Sequence, residues 1–261
     1  MRFVSLTSGS CGNCYCFSSG DTSILIDAGI GARTFRSRMK RLGMKTEGLS
    51  AIFLTHDHAD HSRGAAALMR HFNIPLHCTS EVFTSMNRYL SDADKISKAS
   101  FRPMQVGQSV EVGPFGVTSF AVPHDSHSCV GYVVRCENER LVLATDVGAV
   151  TPVVRSALEG ATRIIIETDF DEDMLWHGSY PEMLKRRITS GYGHLSNRQT
   201  ALLLQEMVQE GWPELKSVFL CHLSGQNNTP SLAFSTVRKV LPKAITLQAL
   251  PRGEATRVFE W

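Results

Sequence analysis

At 261 residues the chain is long enough to bury a substantial core, and its 43% hydrophobic and 20% charged content excludes a disordered or fibrous polymer. A net charge of +2 neither demands nor excludes a nucleic-acid partner, so that question falls to local clusters. No apolar run is long enough for a leader peptide or a membrane span. Together with an odd count of seven cysteines, this predicts a cytoplasmic protein with reduced thiols and no membrane partner.

From the N-terminus, "FVSLTS", "CYCFSS" and "TSILIDAG" predict three β-strands separated by Gly- and Ser-rich turns. Cys11 and Cys14 form a lone CxxC with no second pair and no thioredoxin-like context, too little for a zinc or redox assignment. Residues 32–42 predict a helix, and "ARTFRSRMKR" within it carries five basic residues and no acid. "AIFLTH" predicts a strand, 64–72 a helix, "PLHCT" a strand and 81–89 a helix. From about Phe101 to Asp146 strands dominate, most clearly in "VGYVV" and "LVLATD". A second alternating half follows, with strands "ATRIIIET" and "LKSVFLCHL". Thr151-Pro152 and Thr229-Pro230 each offer an N-cap followed by proline at the first helical position, and Ser196 with Gln199 reads as a capping box. No repeat or linker divides the chain. The expected fold is α/β: two mixed β-sheets packed face to face with helices outside, an αβ/βα four-layer sandwich forming one domain over 1–261.

The densest chemistry lies in "LTHDHADHSRG" (54–64), where three histidines and two aspartates fall within six positions behind an apolar strand. His56 and His58 are two apart, so an extended strand end projects them to the same side, and Asp60 and His61 follow where a loop turns into the next helix. Imidazoles and a carboxylate converging in this way suit a divalent metal, at roughly 2.0–2.2 Å per ligand. Buried without one, each group would need its own hydrogen-bond partner. Asp57, on the opposite side by alternation, reads as a loop hydrogen-bonder.

The pattern H-x-H-x-D-H after a short apolar strand resembles the metallo-β-lactamase superfamily. Other pieces fall at fitting places: Asp27 in "LIDAG", His124 in "PHDSHSCVGY", Asp146 in "LATDVG" and His222 in "LCHLSGQNN". "LTSGSCGNCY", "YPEMLKRRITSGYGHLSN" and "HLSGQNNTP" narrow the resemblance to the WalJ/YycJ family of metallo-β-lactamase-fold nucleases. One stretch departs from that family: "ETDFD" (167–171) stands in place of an "ESNHD"-like segment, and the missing histidine withholds its metal or phosphate role from that loop.

The resemblance implies a centre of two divalent ions. His56, His58 and His124 would hold one, Asp60, His61 and His222 the other, Asp146 would bridge them, and Asp27 would orient ligands from behind. Histidine and carboxylate ligands suit zinc, manganese, iron or nickel alike. The implied activity is hydrolysis of DNA from a 5′ end, with DNA and mismatch-repair proteins as partners. Asp60 and Asp146 are the expected catalytic carboxylates. His194 is the expected phosphate-binding or proton-donating histidine, since a departing oxygen needs a proton. Ser196 and Asn197 open a helix whose free N–H groups suit an anion, and Ser8, Ser10, Asn13, Asn227 and Asn228 are further candidate phosphate contacts. His127 reads as a pocket residue, and His71, His77 and His177 as structural or surface residues.

Three rival functions remain. A small-molecule or cyclic-nucleotide phosphodiesterase could use the same seven ligands. A thioester or lactone hydrolase of the glyoxalase type would carry a "GHTxGS"-like third motif where this chain reads "PHDSHSCVG". A metal-stabilised regulatory protein would be expected to have lost ligands, whereas all seven are present. Only 75 residues separate Asp146 from His222, which leaves no room for a β-CASP-type inserted domain.

Overall fold

The computed structural model describes residues 1–92, 94–212 and 214–261. Runs of β-branched and aromatic residues set the strands, and every strand that reaches the centre of the molecule is buried on both faces. The first sheet takes β1 (Arg2–Thr7), β2 (Cys14–Ser19), β3 (Thr22–Ile26), β4 (Leu49–Phe53), β5 (Leu76–Cys78) and β6 (Phe101–Pro103). The second takes β7 (Ser109–Val112), β8 (Phe115–Ala121), β9 (Val130–Cys136), β10 (Glu139–Ala144), β11 (Arg163–Glu167), β12 (Ser217–Cys221) and β13 (Thr246–Ala249). The C-terminal β14 (Phe259–Glu260) returns to pair with β1. The orders are β14-β1-β2-β3-β4-β5-β6 and β13-β12-β11-β10-β9-β8-β7. In each sheet antiparallel hairpins lead into a parallel run.

Three apolar layers hold this arrangement. Between the sheets, Phe3, Phe17, Ile24 and Phe53 of the first meet Phe115, Tyr132, Leu143 and Phe219 of the second. The outer face of the first sheet packs under α1 (Ala32–Arg41), the one-turn α2 (Ala59–Ser62), α3 (Ala65–Phe72) and α4 (Ser80–Tyr89), through Leu25, Phe35, Leu68 and Val82. The outer face of the second packs under α5 (Pro152–Leu158), α8 (Asn197–Gln209) and α9 (Pro230–Arg238), through Ile164, Val154, Leu204 and Val237. The four-layer αβ/βα sandwich read from the sequence is the architecture found. Among the described residues no helix is long and apolar enough to cross a membrane.

The capping signals hold. Thr151 and Thr229 accept from the backbone N–H of Val154 and Leu232, and Ser196 and Gln199 close a reciprocal capping box. Two local differences matter for the site. Asp60 and His61 sit on α2 rather than in a loop, because Ser62 Oγ bonds the carbonyls of Asp57 and His58, 3.0 Å each, and closes a turn. Residues 171–188 form two short helices that the sequence pattern did not signal, α6 (Glu172–His177) and α7 (Glu182–Ile188). Each is under two turns, too short for a readable apolar stripe, and they close over their own cluster of Phe170, Leu175 and Ile188.

Register places the chemistry. In the parallel run Ala144 lies opposite Ile166, and Glu167 opposite Cys221, so β10, β11 and β12 end level with one another. In the first sheet Ile26 lies opposite Phe53, so β3 and β4 also end together. Val130 N donates to Thr55 O (3.0 Å) and Tyr132 Oη to Leu54 O (2.6 Å), which ties the two rims across the sandwich. The residues just past these strand ends therefore share one edge, where parallel α/β sheets commonly carry their sites.

Candidate metal centre

Asp27 follows β3, Thr55 and His56 follow β4, Asp146 follows β10, Glu167 ends β11 and His222 follows β12. His58 is the N-cap of α2, while Asp60 and His61 lie on that helix and His124 lies in the β8–β9 connection. Asp27, Asp146 and His222 all adopt left-handed backbone, with φ of 60°, 55° and 54°. That conformation costs a residue with a Cβ about 1–3 kcal/mol, and it turns each side chain back over the strand ends. The backbone of Asp60 and Asn13 leaves room only for glycine at Gly29, where a Cβ would lie 1.8 Å from the Asp60 carbonyl oxygen.

The imidazoles are oriented by hydrogen bonds at Nδ1. Thr55 donates its N–H and its hydroxyl to Asp27 Oδ1, both at 2.9 Å, so its oxygen is left to accept from His56 Nδ1 at 3.0 Å. His61 Nδ1 donates to Asp27 Oδ2 at 2.7 Å, and His124 Nδ1 donates to the Gly193 carbonyl at 3.1 Å. A neutral imidazole that donates from Nδ1 carries its lone pair on Nε2. In all three rings Nε2 points inward. Those of His56 and His124 are buried without a hydrogen-bond partner, which would ordinarily cost about 1–3 kcal/mol apiece.

The inward atoms meet. Ligand atoms of His56, His58 and His124 lie within 4.8 Å of one another, as do those of Asp60, His61 and His222, and those of His56, His61 and Asp146. Asp146 turns Oδ2 toward His61 Nε2 (3.2 Å) and Oδ1 toward the Nε2 atoms of His124 and His222 (3.6 Å each). Asp60 Oδ2 is 3.4 Å from the Nε2 atoms of both His61 and His222. Asn13 steadies this group. Its Oδ1 accepts from Gly9 N at 2.8 Å, which directs its Nδ2 to His61 Nε2 (2.9 Å) and Asp60 Oδ2 (3.3 Å). Orphaned lone pairs, fixed tautomers and interleaved carboxylates are the donor set that divalent cations need, and the residues fit such ions.

Charge follows the same geometry. Burial opposes a charged ring at His61, but Asp146, Asp27 and Asp60 outweigh it and push its pKa well up. His222 is raised the same way, against burial, by Asp146, Asp60 and Glu167. Burial and the neighbouring His61 push His56 down. Burial raises Asp27, with His61 and Thr55 pulling in the other direction. Asp60 and Asp146 stay far below the carboxylate range despite burial, because the histidines around them favour the anion.

Glu167 was not singled out in the sequence, and it organises the far side of the centre. Its Oε2 accepts from Val147 N (2.7 Å) and Leu195 N (3.0 Å), and its Oε1 from Asp146 N (3.2 Å) and His194 Nδ1 (2.8 Å). His222 Nδ1 lies 3.1 Å from the same oxygen. Burial opposes its ionisation, yet His194 and His222 hold its pKa at about 2. Burial likewise works against charge on His194, but Glu167, Asp169 and Asp146 raise it to about 9. The "ETDFD" segment thus departs from the expected histidine without being idle: Glu167 holds His194 and lies beside His222, and the buried Asp169 lies 3.7 Å from His222 Nδ1.

The candidate phosphate contacts fare differently. Ser8 is fully buried, bonding Tyr15 Oη and accepting from His222 N (2.9 Å each), so it shapes the backbone rather than facing a ligand. Ser196 is spent on its cap and donates to Glu172 Oε1 at 2.9 Å, which places the protein's own carboxylate at that helix start. Asn197 and Asn228 bond each other, and Asn227 is buried beside Gly178. Asn13 serves Asp60 and His61. Of the set only Ser10 is exposed, and it accepts from Arg252 (3.2 Å). Asp57 bonds His127 Nδ1 at 3.2 Å, and His77 stacks on Phe53 inside the fold.

A model of the beta-lactamase superfamily domain matches residues 22–216. Exodeoxyribonuclease YycJ of Bacillus anthracis is 31% identical over 241 residues, covering 92% of this chain and 89% of that protein. The chain belongs to the YycJ/WalJ family of the metallo-β-lactamase superfamily. Exodeoxyribonuclease WalJ of Streptococcus pneumoniae serotype 2 is 32% identical over 245 residues, covering 93% and 89% of the two chains. The crystal structure of YhfI from Bacillus subtilis, a metallo-β-lactamase fold protein, superposes with a TM-score of 0.72 at 18% identity, covering 98% of this chain and all of that one, a likeness of fold. As a member of this family the chain is a metallo-β-lactamase-fold hydrolase.

Two outcomes follow from the centre's charge. The carboxylates around His61 and His222 favour the protonated rings, and ligation requires their lone pairs. Adding zinc or manganese to metal-free protein in weak buffer should therefore release on the order of one to two protons per chain. The release should shrink as pH rises through the raised values. An indicator-dye titration reads this directly, and no release at pH 7 would contradict the protonated rings. Asp146→Asn should lower metal stoichiometry below that of the parent and abolish most hydrolysis, since an amide carries no charge to balance a cation. Unchanged stoichiometry by elemental analysis would remove Asp146 from the centre.

Proposed function

We propose that the chain is a metal-dependent exodeoxyribonuclease that removes nucleotides from a 5′ end of DNA, with two divalent ions at the centre. His56, His58 and His124 would hold one ion, Asp60, His61 and His222 the second, and Asp146 both. Two such cations, when bound, acidify a water and neutralise the charge that builds on phosphate oxygens. The names of the 31–32% identical relatives support DNA as substrate, and the family resemblance supports the 5′ polarity.

The observation that carries a phosphodiesterase reading is His194. Its Nδ1 is fixed on Glu167 at 2.8 Å, its ring stands 5.2 Å from that of His124 and 5.3 Å from that of His222, and its side chain is 18% exposed. With Nδ1 held in this way, the ring's Nε2–H is left to hand a proton to the departing ester oxygen. Glu167 holds the ring and stabilises its charge, as a buried carboxylate does for a catalytic imidazole. His194→Ala should keep both ions by elemental analysis and slow DNA cleavage by about 10²-fold or more. Loss of metal in that variant would make His194 a ligand. End-labelled linear DNA, circular DNA and a thioester, compared on the parent protein, test the activity itself. Cleavage of circular DNA at the linear rate would rule out an exonuclease.

Two basic runs, "ARTFRSRMKR" on α1 and "KRR" (185–187) on α7, differ in the charge they leave unpaired. Lys185 is buried and donates to the Trp176 carbonyl at 2.8 Å, Arg186 pairs with Glu182 at 3.1 Å, and Arg187 pairs with Asp125, so the 185–187 cluster is largely neutralised. On α1, Arg38 is spent on the carbonyls of Leu6 and Gly253. Arg33, Arg36, Lys40 and Arg41 have no carboxylate partner among the described residues, and the first three line a groove of about 1010 Å³ with Lys45. If these cations follow a DNA backbone, Arg36→Ala with Lys40→Ala should lower the slope of log affinity against log salt by about one to two. Arg186→Ala should change it less. A slope unmoved by the α1 substitutions would favour a small phosphodiester as substrate.

A further inference from the structure

A cavity of about 510 Å³ adjoins the metal centre and shares part of its wall. His58 lines it, and so does Asp125, whose Oδ1 is 3.3 Å from His124 Nε2. The space therefore opens onto the His56, His58 and His124 side of the cluster. Its far wall is Met86, Tyr89 and Leu90, at the end of α4. Val82, Phe83 and Met86 of that helix are buried, but Tyr89 is 78% exposed. One ring is thus left out of the core at the mouth of a cavity beside a hydrolytic centre. Arg63 stands on the rim. It donates to the carbonyls of Gly29 (2.7 Å) and Cys11, and no carboxylate among the described residues neutralises it.

The volume is that of a small-ligand pocket rather than a duplex groove, and pockets of about 300–1,000 Å³ combine apolar walls with a few polar groups. An open aromatic face, an apolar wall and a guanidinium with no carboxylate partner among the described residues, next to the place where a phosphate would be hydrolysed, match one nucleotide. We propose that this cavity takes the base of the nucleotide next to the scissile phosphate, with Tyr89 as its stacking platform and Arg63 facing the phosphate; the proposal rests on the DNA reading above. The contact is sequence-tolerant, because every base has a π-face.

Two measurements separate the cavity from the activity. In steady-state hydrolysis, linear DNA with an intact 5′-terminal nucleotide should show a KM roughly 5- to 150-fold below that of DNA with an abasic tetrahydrofuran residue there. Tyr89→Ala should bring the two KM values together, and Tyr89→Phe, which keeps the ring, should retain the preference. In equilibrium binding to the metal-loaded protein, the fluorescence of 2-aminopurine deoxyribonucleoside 5′-monophosphate should be quenched by the parent and by Tyr89→Phe, but not by Tyr89→Ala. Equal KM values in the parent, or equal losses on both DNAs in Tyr89→Ala, would overturn the assignment. Quenching without cleavage of any DNA would keep the cavity and remove the nuclease reading. Cleavage with neither base preference nor quenching would do the reverse.

Discussion

The Asp27 carboxylate is the constraint on which the rest of the centre depends. It is fully buried, sits on left-handed backbone at the end of β3, and accepts from Thr55 and His61 together. Through Thr55 it also fixes His56, because a hydroxyl that has given its proton to Asp27 can only accept from the ring. One carboxylate thus sets the tautomer of two imidazoles that belong to different ligand groups. Across the rim Glu167 fixes His194 in the same way and places its charge 3.1 Å from His222 Nδ1. A buried carboxylate with unfilled lone pairs would be costly, and here backbone N–H groups fill them: Thr55 on one side, Asp146, Val147 and Leu195 on the other. The two supports come one from each sheet, so the centre exists only where the sheets are aligned.

How much of this was legible in the sequence depends on the length scale of each feature. H-x-H-x-D-H is a local pattern whose residues reach one point because a strand end and a one-turn helix place them there. Asp27, Asp146 and His222 were legible because each directly follows an apolar strand. Glu167 was not, although it too ends an apolar strand, "RIIIE". The phosphate-contact candidates misled. Small polar residues in tight loops serve either a ligand or the backbone, and only burial separates the two; Ser8, Ser196 and Asn197 proved to be buried ties. Basic runs were ambiguous in the same way. The partners that neutralise Arg186 and Arg187, or leave Arg36 and Lys40 free, come from the fold and not from the neighbouring letters.

The cost of the centre is distributed, not local. Three non-glycine residues in left-handed backbone, orphaned Nε2 atoms on His56 and His124, and several buried carboxylates add up to several kcal/mol against folding, at about 1–3 kcal/mol for each strained residue or orphaned atom. What offsets it is remote from the chemistry: the inter-sheet layer of Phe3, Phe17, Phe53, Phe115, Tyr132 and Phe219 and the two outer layers under the helices. Each buried side chain of that size contributes about 1.5–3 kcal/mol, so a core of this extent can carry a strained rim.

This division has a consequence for how metal and fold are coupled. In a small zinc module the ions supply the folding free energy itself, and removing them unfolds the chain. Here no apolar layer depends on the centre, and the elements that orient the imidazoles at Nδ1 are protein groups that remain when ions leave. Metal bound only by the folded state still adds stability in proportion to the logarithm of its concentration over its dissociation constant. The contacts that supply that gain lie at the ends of β3, β10 and β12, but it stabilises the folded chain as a whole. Asp60, Asp146 and Glu167 pull protons toward His61 and His222, the same charge demand that a bound cation would meet. A centre whose rings are held at Nδ1 by protein groups can be loaded after folding, with its geometry set beforehand by Asp27 and Glu167.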